Sequence, residues 1–144
     1  MSIGLQPVET MNENDQIRVE TKLYGLIAEH ASPNRLFVTV NRRIKADGID
    51  AMMIPMNIRQ DDIYFTLANM KKSHVNGAYI AQEYQEAAVE LLDDSDEFVE
   101  VYGRCDFVFR EGERLIGTYV EKNGTVTGEA LADAVYELIK RGEL

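Results

Sequence analysis

The sequence predicts an α/β fold: a three-layer αβα sandwich on a mostly parallel, mixed sheet of about six strands. Three observations carry that expectation. Short apolar runs recur at 23–28, 49–56 and 74–81, each the length of a buried strand. Each is followed by apolar residues spaced three and four apart, the period of a helix, and this alternation is the signature of crossovers between parallel strands. Further on, Glu111-Gly112 sits between two strand-like runs and marks a hairpin, which adds antiparallel pairing.

The first strand, LYGLIA, is followed by Ser32-Pro33, a pair suited to the cap and first position of a helix. Leu36, Val40 and Ile44 then share a face, and Gly48 ends that helix. The second strand, IDAMMIPM, carries Pro55 near its end, where a missing ladder donor does least harm. Asn57 is placed to cap the next helix, with Asp61 and Asp62 in its first turn, Lys71 and Lys72 in its last, and Tyr64, Leu67 and Ala68 as its apolar face. After the third strand, Tyr84, Ala87, Ala88 and Leu91 mark a helix that DDSDE at 93–97 interrupts. Strands are expected near 98–102, 105–110 and 113–120. A final helix begins at Thr127, buries Leu131, Ala134, Val135 and Leu138, and closes at Lys140, Arg141 and Gly142.

The 144 residues suffice for one domain with one core. Residues 1–20 are polar and acidic and read as a tail or arm, leaving 21–144 as the domain. A net charge of −10 and an isoelectric point near 4.6 repel phosphate backbones and anionic lipid, so neither nucleic acid nor membrane is an expected partner. The lone Cys105, beside Phe107, Val108 and Phe109, reads as a small core residue. With no leader pattern at the N-terminus, a cytoplasmic location is expected. His30, His74 and Cys105 lack the spacing of a zinc site, and DDSDE lacks that of a calcium loop.

Residues 24–121 resemble, segment by segment, the substrate-binding, N-terminal domain of shikimate dehydrogenases. The family segment SxSP, whose serines hold the substrate carboxylate, is matched by His30-Ala31-Ser32-Pro33. An imidazole in place of the first hydroxyl still offers hydrogen-bond donors to an anion. The alternative is that Ser32 only caps a helix and His30 lies at the surface. The family pattern GxNVTVPFK is matched by residues 77–85. The resemblance places Tyr79 at a substrate-binding asparagine, Ala81 at a threonine and Gln85 at the catalytic lysine. A carboxamide exchanges no proton near neutral pH, so Gln85 cannot act as acid or base.

Asp106 falls at a further substrate-binding asparagine; it reads either as a ligand contact or as a solvated residue at a strand end. Arg104 beside it fits a carboxylate or a surface salt bridge. Glu121 stands where the family has the aspartate that partners its lysine, and Tyr119 replaces an asparagine. Together Tyr79 and Tyr119 suggest a more aromatic pocket, or simply space filling.

The resemblance thus implies a binding site of His30, Ser32, Tyr79, Ala81, Gln85, Asp106 and Glu121, with no catalytic group assigned with Gln85 and Glu121 at the acid–base positions. NADP is the cofactor of the resembled family. No GxGxxG follows a strand here and no nucleotide-binding half precedes Leu144, so no cofactor is expected in this chain. The expected function is a stand-alone binding domain for a small carboxylic or hydroxylated molecule, without hydride transfer. The alternatives are the substrate-binding subunit of a two-chain dehydrogenase, or an oligomerisation domain with no small ligand. Expected partners are a small-molecule ligand such as a hydroxy acid, and either a second copy in a homodimer or a separate nucleotide-binding chain.

Overall fold

The computed structural model describes residues 20–31 and 35–143. Its strands are β1 (Lys22–Ala28), β2 (Ala51–Asn57), β3 (Val75–Ile80), β4 (Asp94–Ser95), β5 (Phe107–Glu111) and β6 (Arg114–Thr118). The helices are α1 (Arg35–Ala46), α2 (Ile63–Met70), α3 (Gln85–Val89), α4 (Glu97–Tyr102) and α5 (Gly128–Glu143), with single 3-10 turns leading into α2 and α3. One six-stranded sheet has the order β2-β1-β3-β5-β6-β4. Strand β1 pairs parallel with β2 and β3, β5 pairs antiparallel with β3 and β6, and β4 returns parallel to β6, so the mixed sheet expected from the sequence is formed.

The pleat sends alternate side chains to two cores. On one face Tyr24, Leu26, Tyr79 and Phe107 pack under Val40 and Ile44 of α1 and Ala132, Val135 and Ile139 of α5. On the other, Ile27, Ala78, Ile80 and Val108 meet Leu67 of α2, Ala88 of α3 and Val99 of α4. The three layers follow directly from that alternation. At the end of α1 the chain reverses as predicted at Gly48, φ 70°, where the Ile49 amide reaches back to the Ile44 carbonyl.

Edge strand β2 is closed to further pairing. Its even-numbered residues bond to β1, leaving Ala51, Met53 and Pro55 to face outward. The Ala51 amide is taken by the Ile49 carbonyl, and Pro55 has no amide proton. The Asn41 carboxamide of α1 both accepts from the Met53 amide and donates to its carbonyl, each at 2.8 Å, as a neighbouring strand would. Asn41→Ala is expected to cost about 1–3 kcal/mol by leaving that pair unmet, read as a lower urea midpoint with unchanged slope. An unshifted midpoint would mean the clamp is dispensable.

Several local expectations are corrected. Residues 98–102 are helical, not extended: the Asp96 carboxylate accepts the Phe98 and Val99 amides at 3.1 and 3.2 Å, and Gly103, φ 68°, ends the helix, so the caps override the β-branched and aromatic composition. The short strand β4 lies instead within DDSDE. The strands expected at 105–110 and 113–120 form only over Phe107–Glu111 and Arg114–Thr118. The buried face of α2 is Ile63, Leu67 and Met70, whereas Tyr64 is 46% exposed. Asn57 caps nothing; it closes β2 and accepts the Ala31 amide at 2.7 Å. Gly142 does not stop α5 but lies inside it, where a Cβ would meet the Tyr24 hydroxyl at 2.8 Å. The proposed Ser32-Pro33 cap lies outside the described residues.

Candidate functional site

Because β1 and β3 run parallel, their C-terminal ends open on one edge of the sheet. Antiparallel pairing brings the start of β5 and the segment after β6 to the same edge. Residues far apart in sequence therefore converge there: Tyr79 from β3, Gln85 from the start of α3, Asp106 ahead of β5, and Glu121 beyond β6.

Gln85 is 1% exposed, and its amide is fully engaged. Its Nε2 donates to the Ile80 carbonyl at 3.0 Å and to Glu121 Oε2 at 2.8 Å, which uses both protons. Its Oε1 accepts from Arg104 Nε at 3.1 Å. Arg104 also pairs with Glu86 at 3.0 Å and donates to the Gln82 carbonyl at 2.9 Å. The Tyr79 hydroxyl donates to the same Glu121 oxygen. Burial first, then the bond to Glu121, raises the Tyr79 phenol well above its ordinary range, so it holds its proton. This network positions groups firmly and offers no exchangeable proton at Gln85.

Asp106 is not the solvated residue that a strand end suggests: it is fully buried. Its two oxygens accept the Val120 and Glu121 amides, each at 2.9 Å, and so fix the backbone that carries Glu121. Burial pushes its carboxyl up to about 7, against the pull of those two amides and with a contribution from Glu121.

The structure thus joins Tyr79, Gln85, Asp106 and Glu121 of the sequence-derived set. Ala81 adjoins them as the residue after β3, its amide held by the Ile27 carbonyl at 2.9 Å. His30 lies exposed in the turn after β1, outside this cluster, and Ser32 lies outside the described residues. Tyr79 and Tyr119 do not form a shared aromatic wall, since they belong to cores on opposite faces; Tyr119 packs on Tyr102 with ring centroids 5.4 Å apart. Sequence reasoning missed the grip of Arg104 on Gln85, and it missed Glu83, whose carboxylate accepts the Glu29 amide at 2.9 Å. The signal for Arg104 was its place next to Cys105 and Asp106, but its partners 18 to 22 residues away had no local mark.

Cys105 is buried and its thiol is pushed up to about 12, chiefly by desolvation, so it is the core residue expected. Gly25 and Gly77 lie within strands against Met56 and the Val108 carbonyl, and Gly103 and Gly112 close a helix and a hairpin. Among the described residues no group of three or more His, Cys, Asp or Glu is placed to hold a metal ion, and no helix is long and apolar enough to cross a membrane. A recess of about 310 Å³ lined by Ile27, Met56, Phe65, Met70 and Val75 and another of about 380 Å³ between α1 and α5 are bordered by neither Gln85 nor Glu121.

A mixed sheet of this order, sandwiched by helices and gathering a carboxamide–carboxylate pair at the ends of β1 and β3, defines an α/β sandwich domain. The chain is similar to the N-terminal, substrate-binding domain of the shikimate dehydrogenases. No family model matches it. It is 26% identical over 108 residues to the shikimate dehydrogenase (NADP(+)) of Dictyoglomus turgidum, covering 75% of this chain and 39% of that protein. The enzyme of Pyrococcus furiosus is 25% identical over 101 residues, 70% of this chain and 37% of its own length. The chain therefore spans about two-fifths of the curated relatives it matches. Among solved structures, a shikimate dehydrogenase in complex with NADP+ aligns over 84% of this chain and 42% of its own, with a TM-score of 0.71 at 17% identity. The ligand-free 5-ketofructose reductase of Gluconobacter sp. strain CHM43 aligns over 76% and 39%, with a TM-score of 0.69 at 19% identity.

Proposed function

We propose that this domain binds a small carboxylic or hydroxylated molecule at the C-terminal ends of β1 and β3 and does not itself catalyse hydride transfer. The observation that carries the reading is the state of Gln85. It occupies the position that the resemblance gives to the family's lysine, it faces Glu121 at 2.8 Å, and both its amide protons are committed. A neutral carboxamide so held keeps the geometry of an acid–base pair but lacks its chemistry. The location agrees with the rule that ligands of open α/β sheets sit outside the carboxyl ends of the strands. Relatives described as shikimate dehydrogenases and as 5-ketofructose reductase support a hydroxylated small molecule as the ligand class.

A thermal-shift panel of shikimate, quinate, other hydroxy acids, sugars and nicotinamide nucleotides tests this. Stabilisation by a hydroxylated molecule and none by NADP is expected; at a concentration 100 times Kd the gain approaches about 2.7 kcal/mol. Steady oxidation of shikimate with NADP, abolished by Gln85→Ala, would remove the non-catalytic half of the proposal.

A second reading is an interaction domain with no small ligand. It is favoured by the same network, because Gln85 and Tyr79 satisfy their hydrogen bonds within the chain. It requires the panel to give no shift and light scattering to give one defined oligomer.

A further inference from the structure

Resting on the binding reading above, we infer that Asp106 is a proton-operated latch on residues 120–124, which carry Glu121 to the site: proton uptake by its carboxylate releases one of the two amides it holds and loosens that segment. The geometry carries the inference. Asp106 is 0% exposed and holds the Val120 amide with one oxygen and the Glu121 amide with the other, each at 2.9 Å. Beyond them the chain turns through Lys122, Asn123 and Gly124 at φ 49°, 61° and 83°. A lysine at positive φ is strained and persists only where its surroundings hold it. Besides Asp106, those surroundings are the Tyr119 hydroxyl, which accepts the Asn123 amide at 2.9 Å, and the Phe98 ring, whose centroid lies 4.6 Å from the Lys122 ammonium. The Thr125 and Val126 amides close the turn on the Lys122 and Glu121 carbonyls at 3.4 and 3.2 Å.

An ionised carboxylate accepts at both oxygens, whereas a neutral carboxyl carries a proton on one of them, and that hydroxyl meets an amide proton head-on. Of the groups around Asp106, the Tyr79 phenol of β3 and the adjoining Cys105 thiol are both pushed upward by burial and stay protonated through neutral pH. From the segment itself comes Glu121, whose negative charge favours proton uptake by Asp106. From β6 comes the Thr118 carbonyl, which accepts the Asp106 amide at 3.1 Å, while the Thr118 hydroxyl donates to Asp96. Arg104 lies beyond Gln85 Oε1, with its charge paired to Glu86 at 3.0 Å. Burial sets the carboxyl near neutrality, at about 7, so the latch is closed in mild alkali and open in mild acid. Glu121 anchors Tyr79 and Gln85, so a loosened segment unsettles the whole cluster and weakens ligand binding as pH falls.

The test is a pH series of amide NMR spectra and hydrogen exchange on the full, ligand-free chain. The Val120 to Gly124 amides should shift together with one midpoint near 7. Protection of the Val120 and Glu121 amides, corrected for intrinsic exchange, should fall at least about tenfold from about pH 8 to about pH 6. Asp106→Asn should remove the midpoint and leave the segment weakly protected throughout. Replacing His30 and His74 together by Gln should preserve the midpoint, since both are exposed and also titrate in this range. Should Asp106→Asn not fold, the carboxyl carbon resonance of Asp106 in the double histidine variant decides, and it must share the midpoint of the segment. Protection that stays flat, a midpoint that survives Asp106→Asn, or one that vanishes with the histidines overturns the latch. None of these involves a ligand, so the binding reading stands or falls separately on its own panel.

Discussion

Phe107→Ala is expected to destabilise the domain by about 3–5 kcal/mol, the cost of emptying a well-packed aromatic site. The ring is 0% exposed and lies between Tyr24 and Phe109, with centroids 6.3 and 5.0 Å away. Strand β5 is central, flanked by β3 and β6, so the surrounding backbone has little freedom to collapse into the cavity. A domain of this size has about 5–15 kcal/mol in total, and the variant should lose a third or more of it. The readout is the urea midpoint followed by circular dichroism. A loss below about 1 kcal/mol would contradict the packing around this ring. Asp106, the next residue back, should loosen with it, and the variant should also weaken whatever ligand the domain binds.

The second large effect is a pH dependence that Asp106 imposes. Its buried carboxyl is pushed up to about 7, while an unfolded aspartate titrates near the usual carboxylate range of about 4. Between those two values the folded state binds the proton and the unfolded state has lost it. Stability from this group is therefore fully present below about pH 4 and falls as pH rises to about 7. At about 1.4 kcal/mol per decade the difference is on the order of 4 kcal/mol.

Asp93 acts in the opposite sense. The Leu115 amide, and then Lys71, hold its carboxyl below the usual range, so its contribution is present at neutral pH and lost in acid. The two are separated by comparison with Asp106→Asn, which is neutral throughout. The stability of that variant minus that of the unmodified chain should climb between pH 4 and 7 and be level above. At pH 4 the variant should be the less stable by about 1–3 kcal/mol, because its new amide faces the Val120 or Glu121 amide. A difference curve flat across that window would refute the assignment.

Much of the fold was legible because its signals are local. The strands near 23–28 and 74–81 announce themselves by length and apolar content, Gly48 by its place after a helical face, and Glu111-Gly112 by turn chemistry, with Gly112 at φ 64°. The strand expected at 98–102 failed for a physical reason. The composition there suits a strand, and the decision was made by Asp96 and Gly103 at the two ends together with burial of Val99. Gly142 misled in a similar way: a glycine near a helix end reads as a stop, but here it admits the Tyr24 hydroxyl and leaves its carbonyl to the Lys22 ammonium at 2.9 Å.

The site divides along the same line. From the sequence alone came the layered α/β class, the mixed sheet and the presence of a carboxamide where the resemblance expects a lysine; all three depend on residue type and short-range period, which the chain carries whatever its shape. Only the tertiary structure decided that Asp106 is buried beneath the Glu121 backbone, that Arg104 grips Gln85, and that Glu29, Glu83, Asp106 and Glu121 share one edge of the sheet. Burial and charge balance are sums over neighbours brought together by strand pairing, and a residue's neighbours across a sheet leave no trace in its sequence surroundings.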